Sequence, residues 1–155
     1  MVGQPLCSAT GDALPLVIGL CGTLGAGKTR LVQEICRAAG VDVTEVTSPT
    51  FTLVQSYSTA TGILHHLDAY RIADVDEFWQ LGMDDWWWEP GCRTFVEWAD
   101  RVVAEMPAET IWVRMTIDDT PVVTESQDQS SAPRTLAFWG ADPIRCDWIR
   151  QVTNL

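Results

Sequence analysis

Residues Leu16–Ala39 read LVIGLCGTLGAGKTRLVQEICRAA, and this stretch decides the fold. Leu16–Cys21 has the length and branching of a buried strand. It runs into Gly22-Thr23-Leu24-Gly25-Ala26-Gly27-Lys28-Thr29, which fits the phosphate-binding loop pattern G-x-x-x-x-G-K-[ST]. A helical pattern follows, with Leu31, Val32, Ile35 and Cys36 on one face and Gly40 as its stop. By composition alone the loop pattern arises in roughly one chain of this length in a few hundred, and requiring a strand before it and a helix after it makes coincidence rarer still.

Phosphate binding needs these residue types. Glycines let the backbone turn tightly around an anion where a Cβ would block its approach. The N–H groups of the loop and of the helix start then face the same charge. Lys28 is placed to reach the β- and γ-phosphates, and the Thr29 hydroxyl to ligate Mg²⁺. Lys28 is the only lysine of the chain, which carries its other cations as arginine.

The remaining sequence bounds what surrounds that loop. With 155 residues, the chain is expected to form a single domain over 1–155. A formal net charge of −11 weighs against unaided nucleic-acid binding, because phosphate contacts need a density of cations. Five scattered cysteines without C-x-x-C spacing fit reduced thiols in a cytoplasm better than a disulfide framework or zinc. No apolar run reaches membrane-spanning length, and Met1–Pro15, expected as an irregular arm, lacks the basic start and apolar core of a signal peptide.

Beyond Gly40 the pattern alternates. Val41–Val46 is expected as a strand, and Leu53–Ser58 with Ile63–Asp68 as a hairpin around Ala60-Thr61-Gly62. Asp74–Leu81 reads as a short amphipathic helix capped by Asp74, continued by a turn over Asp84–Glu89. Thr94–Trp98 is a short buried strand, Ala99–Met106 a helix and Ile111–Ile117 a strand. Residues 118–133 are polar and loop-like, Thr135–Trp139 is a last strand, and Pro143–Val152 a terminal helix. The order implies an α/β, three-layer sandwich of the phosphate-loop NTPase type, with a mixed sheet.

Three further sites carry chemistry. Glu97 ends a buried strand, where α/β sheets place their active sites, and suits a second Mg²⁺ anchor. Asp68 ends another strand: it either orients water or completes the magnesium shell, or is a turn acid pairing with Arg71. Thr50 follows Pro49 in a loop able to close over a γ-phosphate. His65 and His66 are adjacent, so a strand sends them to opposite faces. Trp86-Trp87-Trp88 cannot all face one core, so either one ring caps the surface or the cluster is a docking patch.

GTLGAGKT (22–29), SPTFTLV (48–54), HLDAYR (66–71), an acidic helix ending at Leu81-Gly82, and FVEW (95–98), in that order, resemble the TsaE (YjeE) family. The resemblance covers about Leu16 to Pro107. It implies a small ATPase of the bacterial system that makes threonylcarbamoyladenosine in tRNA, with ATP and Mg²⁺ as its cofactors. By it, Lys28 and the loop Gly22–Thr29 hold ATP phosphates, Thr29 and Glu97 bind Mg²⁺, Thr50 and Asp68 serve hydrolysis, and Trp98 lies beside the nucleotide. The implied partners are a kinase-like tRNA threonylcarbamoyl transferase and its paralogous companion subunit, with tRNA met only through them. Thr23 stands where the family usually has aspartate, and Arg30 where it has a small residue. A GTPase is excluded, because its N-K-x-D base-reading motif needs a second lysine. A small-molecule kinase remains the alternative, with Arg71, Arg93 or Arg101 as lid residues. A nucleotide-gated binding module that hardly hydrolyses is the third.

Overall fold

Near-continuous apolar runs in short strands, such as Leu16–Cys21, call for a sheet covered on both faces, and the computed structural model has that architecture. It describes residues 15–42, 44–49, 52–118 and 132–140. Strands β1 (Leu16–Gly22), β2 (Val54–Thr59), β3 (Gly62–Asp68), β4 (Arg93–Glu97), β5 (Ile111–Ile117) and β6 (Arg134–Gly140) form one sheet, in the order β2-β3-β4-β1-β5-β6. The central four, β3-β4-β1-β5, are parallel, and β2 and β6 pair antiparallel at the two edges. Helix α1 (Lys28–Ala38) covers one face; α2 (Val75–Gln80), α3 (Met83–Trp87) and the 3₁₀ turns after β4 cover the other.

The period-2 rule sorts the side chains cleanly. Ile18 and Leu20 of β1, Leu64 of β3, Phe95 of β4 and Val113 of β5 pack under Val32 and Cys36 of α1. Their neighbours Val17, Cys21, Leu67 and Val96 face the opposite layer and meet Phe78, Met83, Trp87 and Val102. The thiols of Cys21 and Cys36 are buried in these layers, and burial pushes both up to about 11, which keeps them protonated and inert.

Two expected elements differ. Val41–Val46 is no strand among its described residues. Asp42 instead organises a turn: its carboxylate accepts from Thr44 N and Oγ1 at 2.9 and 2.8 Å, and its carbonyl from Glu45 N. Among the described residues of this segment only Val46 is buried, and its carbonyl accepts from Gln33 of α1 at 2.8 Å. The expected helix Ala99–Met106 is two 3₁₀ turns, Ala99–Arg101 and Val103–Glu105, broken at Val102, whose φ of −126° is not helical. The hairpin, the Asp74-capped helix and the short helix over the tryptophan cluster form as expected. The Met1–Pro15 arm up to residue 14, the loop over 119–131 and the terminal helix Pro143–Val152 lie outside the described residues.

Candidate active site

The carboxyl ends of β1, β3 and β4 lie side by side, with Leu20 and Asp68 both in register with Glu97. Chain leaving β1 enters the glycine loop, and two of its glycines are indispensable. Gly22 has φ +145°, and a Cβ there would lie 2.3 Å from the Met115 carbonyl oxygen, so the loop leaves the sheet pressed against β5. Gly27, the N-cap of α1, has φ +104° and offers no side-chain cap. The first turn of an eleven-residue helix is therefore left without a side-chain cap on its N–H groups.

Lys28 does not face solvent, as an empty loop would suggest. It is 5% exposed, and its Nζ donates to the carbonyls of Gly22 at 2.7 Å and Thr23 at 3.0 Å. The same ammonium lies 3.6 Å from the centroid of the Trp98 ring, a cation–π contact. Burial pushes its pKa below the usual lysine value, against the pull of Glu97.

Thr29 and Glu97 meet although 68 residues separate them: the Thr29 hydroxyl donates to Glu97 Oε2 at 3.0 Å. The other carboxylate oxygen, Oε1, lies 2.7 Å from His66 Nε2. Glu97 is 3% exposed. Asp68, equally buried, caps the 3₁₀ turn Ala69–Arg71 by accepting from Tyr70 N at 2.9 Å, and accepts from Ser48 Oγ at 3.3 Å. Asp68 thus both holds its turn and faces the cleft, and it is not a surface acid.

Trp98 closes this arrangement. Its φ of +57° puts a bulky residue in the left-handed region, a strained backbone that recurs at functional sites. Its ring packs on Tyr70 at 5.0 Å between centroids. Lys28, Thr29, Ser48, Asp68, Glu97 and Trp98 all line one cleft of about 480 Å³, well within the range of small-molecule sites. Leu24, Gly25 and Gly27 also border it, and Ala26 lies buried behind the loop.

Of the expected site residues, Leu24, Gly25, Gly27, Lys28, Thr29, Asp68, Glu97 and Trp98 line this cleft, whereas Gly22 and Thr23 meet it only through their carbonyls on Lys28 and Ala26 is buried. Thr50 lies outside the described residues, although Ser48, two positions earlier, reaches the cleft. Ser48 and His66 are the site residues the sequence reading missed. His66 carried a usable signal, since it stands two residues before Asp68 and so shares its face of β3. His65 faces the other layer, where it stacks on Trp86 at 4.3 Å and bonds Ser56 Oγ at 2.8 Å. Of the tryptophan cluster, Trp87 is buried in the core and Trp88 is 60% exposed.

Four parallel strands, a glycine loop joining strand to helix, and two buried acids at the strand ends define an α/β protein built around a glycine loop at the carboxyl edge of its sheet. The profile of the family described as "Threonylcarbamoyl adenosine biosynthesis protein TsaE" matches residues 2–126, and the chain belongs to that family. A tRNA threonylcarbamoyladenosine biosynthesis protein TsaE from Treponema pallidum is 35% identical over 101 residues, 65% of this chain and 73% of the relative. The Bacillus subtilis protein of the same name is 37% identical over 98 residues, 63% of this chain and 59% of that one. That from Aquifex aeolicus is 52% identical over 61 residues, 39% of this chain and 46% of its own. The crystal structure of Bacillus subtilis YdiB superposes with a TM-score of 0.56 at 25% identity, covering 92% of this chain and 80% of that one. The family is one of tRNA threonylcarbamoyladenosine biosynthesis. Among the described residues no helix is long and apolar enough to cross a membrane.

Proposed function

We propose that this chain is a Mg²⁺-dependent ATP-binding and hydrolysing subunit that supports tRNA threonylcarbamoyladenosine modification through a transferase complex. The contact of Thr29 with Glu97 at 3.0 Å carries this reading, because it gathers hard oxygen ligands at the mouth of an uncapped helix and glycine loop. Those residues fit Mg²⁺, which takes few protein ligands and completes its shell with water and phosphate oxygens. Among the described residues no three His, Cys, Asp or Glu side chains converge on a metal site of their own, so the nucleotide would share the ligation. When bound, Mg²⁺ would supply neutralisation of phosphate charge.

The chain's own groups divide the remaining work. Loop N–H groups cradle the phosphates. Lys28 leaves the Gly22 and Thr23 carbonyls for the phosphate oxygens, and Asp68, which accepts from Ser48 Oγ at 3.3 Å, orients the attacking water together with Thr50. Trp98 stacks over the ammonium and shields the cleft from solvent. The kinase alternative loses one of its lid residues, since Arg93 begins β4 at the far end of the sheet and donates to Thr61 there.

Thr29 and Glu97 acting on one ion should not contribute independently. ATP turnover measured against Mg²⁺ concentration should fall about a hundredfold in Thr29→Val and in Glu97→Gln, and little further in the double variant. Strictly additive losses would place Glu97 outside the metal's reach.

The partners we propose are the kinase-like transferase and its companion subunit, in the cytoplasm, with tRNA held by them rather than by a chain of net charge −11. Slow turnover alone and stimulation by that pair are expected, because the groups around a γ-phosphate are commonly completed in trans. Trp88 is the ring to test, since truncating buried Trp87 would cost about 3–5 kcal/mol of core packing. Stimulation should weaken in Trp88→Ala while unstimulated turnover holds; undiminished stimulation would remove the cluster from the interface.

A further inference from the structure

We infer that His66 is a positioning residue for Glu97, fixing its carboxylate so that a single oxygen is presented to the ion and Mg²⁺ is favoured over Ca²⁺. This rests on the site being a Mg²⁺–nucleotide site. His66 is fully buried on β3, on the cleft face it shares with Asp68. Its Nε2 lies 2.7 Å from Glu97 Oε1. An ionised carboxylate only accepts, so the hydrogen of this bond sits on His66 Nε2. The other ring nitrogen, Nδ1, is buried and has no hydrogen-bond partner among the described residues. The bond to Glu97 is therefore what orients the ring, and a core that needed only volume at this position would be better served by leucine.

The consequence lies at the carboxylate. With Oε1 engaged by His66, Oε2 alone is left towards Thr29 and the cleft. Mg²⁺ demands near-octahedral geometry from single oxygens, whereas Ca²⁺ accepts both oxygens of one carboxylate at longer range. A carboxylate pinned at one oxygen suits the smaller ion. Groups that orient a metal ligand in this way typically account for a factor of about 10–100 in metal affinity.

Calorimetric binding of a non-hydrolysable ATP analogue to the full chain, in EDTA, in Mg²⁺ and in Ca²⁺, separates the terms. His66→Leu should bind the analogue in EDTA as the unaltered chain does. Its gain in affinity on adding Mg²⁺ should shrink about tenfold, while the gain with Ca²⁺ holds or rises. His66→Gln, whose amide can donate to Oε1 from the same distance, should restore the Mg²⁺ gain; the shorter His66→Asn should not. Thermal melts establish which variants are folded, and if His66→Leu is not, the comparison of Gln with Asn decides. An undiminished Mg²⁺ gain in His66→Leu or His66→Asn overturns the inference, as does equal weakening of Mg²⁺ and Ca²⁺ gains in all folded variants. An unaltered chain that binds the analogue without any Mg²⁺ gain defeats the metal reading itself, and no binding in any buffer defeats the nucleotide site.

Discussion

In Lys28→Ala, ATP turnover falls by about a thousandfold or more, to the limit of detection. A single preorganised donor aimed at developing charge is worth about 10²–10³ in rate, and Lys28 is the only ammonium-bearing side chain of the chain. The structure adds a second consequence. Because Nζ donates to Gly22 and Thr23 and sits over Trp98, its removal also empties a buried position at the root of the loop. Each hydrogen bond to a charged group is worth about 1.5–3 kcal/mol, offset by no longer having to bury the ammonium. A net loss of about 1–2 kcal/mol is expected, read as a small fall in melting temperature with the fold retained. Phosphate release and a thermal melt on the same sample check both parts. Retained turnover in a folded Lys28→Ala chain would remove the loop from the chemistry.

Asp68→Asn carries the second large effect, and it separates binding from reaction. Asparagine keeps the size of the side chain and, through its carbonyl oxygen, the cap on Tyr70 N, so the turn after β3 persists. It lacks the negative charge that would draw a proton from, or align, the attacking water. ATP affinity should stay within about threefold of the unaltered chain, while single-turnover hydrolysis slows by about 10²–10⁴. If Asp68 only held its turn, the rate would be untouched and the cost confined to about 1 kcal/mol of stability.

The loop, Thr29 and Glu97 were legible in the sequence because their signals are local. A glycine pattern between strand and helix has one backbone solution, and an acid ending a short apolar run lands at a strand's carboxyl end. The position of Lys28 was not legible, because it depends on where the left-handed backbone at Trp98, just past the end of β4, throws its ring. The pleat sends His65 to Trp86 and His66 to Glu97, on opposite faces as expected, but the partner of His66 was hidden, because Glu97 reaches it from a strand 31 residues further on. Val41–Val46 misled for the opposite reason. Its alternation of apolar and polar residues suits a strand, but Asp42 offers the backbone a nearer acceptor than any neighbouring strand does. The sheet order was implied in kind and not in detail, since periodicity assigns faces to strands and says nothing of which strands are neighbours.

The most direct test of the account is a structure of the chain with Mg²⁺ and a non-hydrolysable ATP analogue. The β- and γ-phosphates are expected within hydrogen-bond distance of the loop N–H groups and of Lys28 Nζ, now turned away from the Gly22 and Thr23 carbonyls, with Mg²⁺ held by Thr29 and Glu97. A nucleotide seated elsewhere, with Lys28 still bonded to those carbonyls, would contradict it.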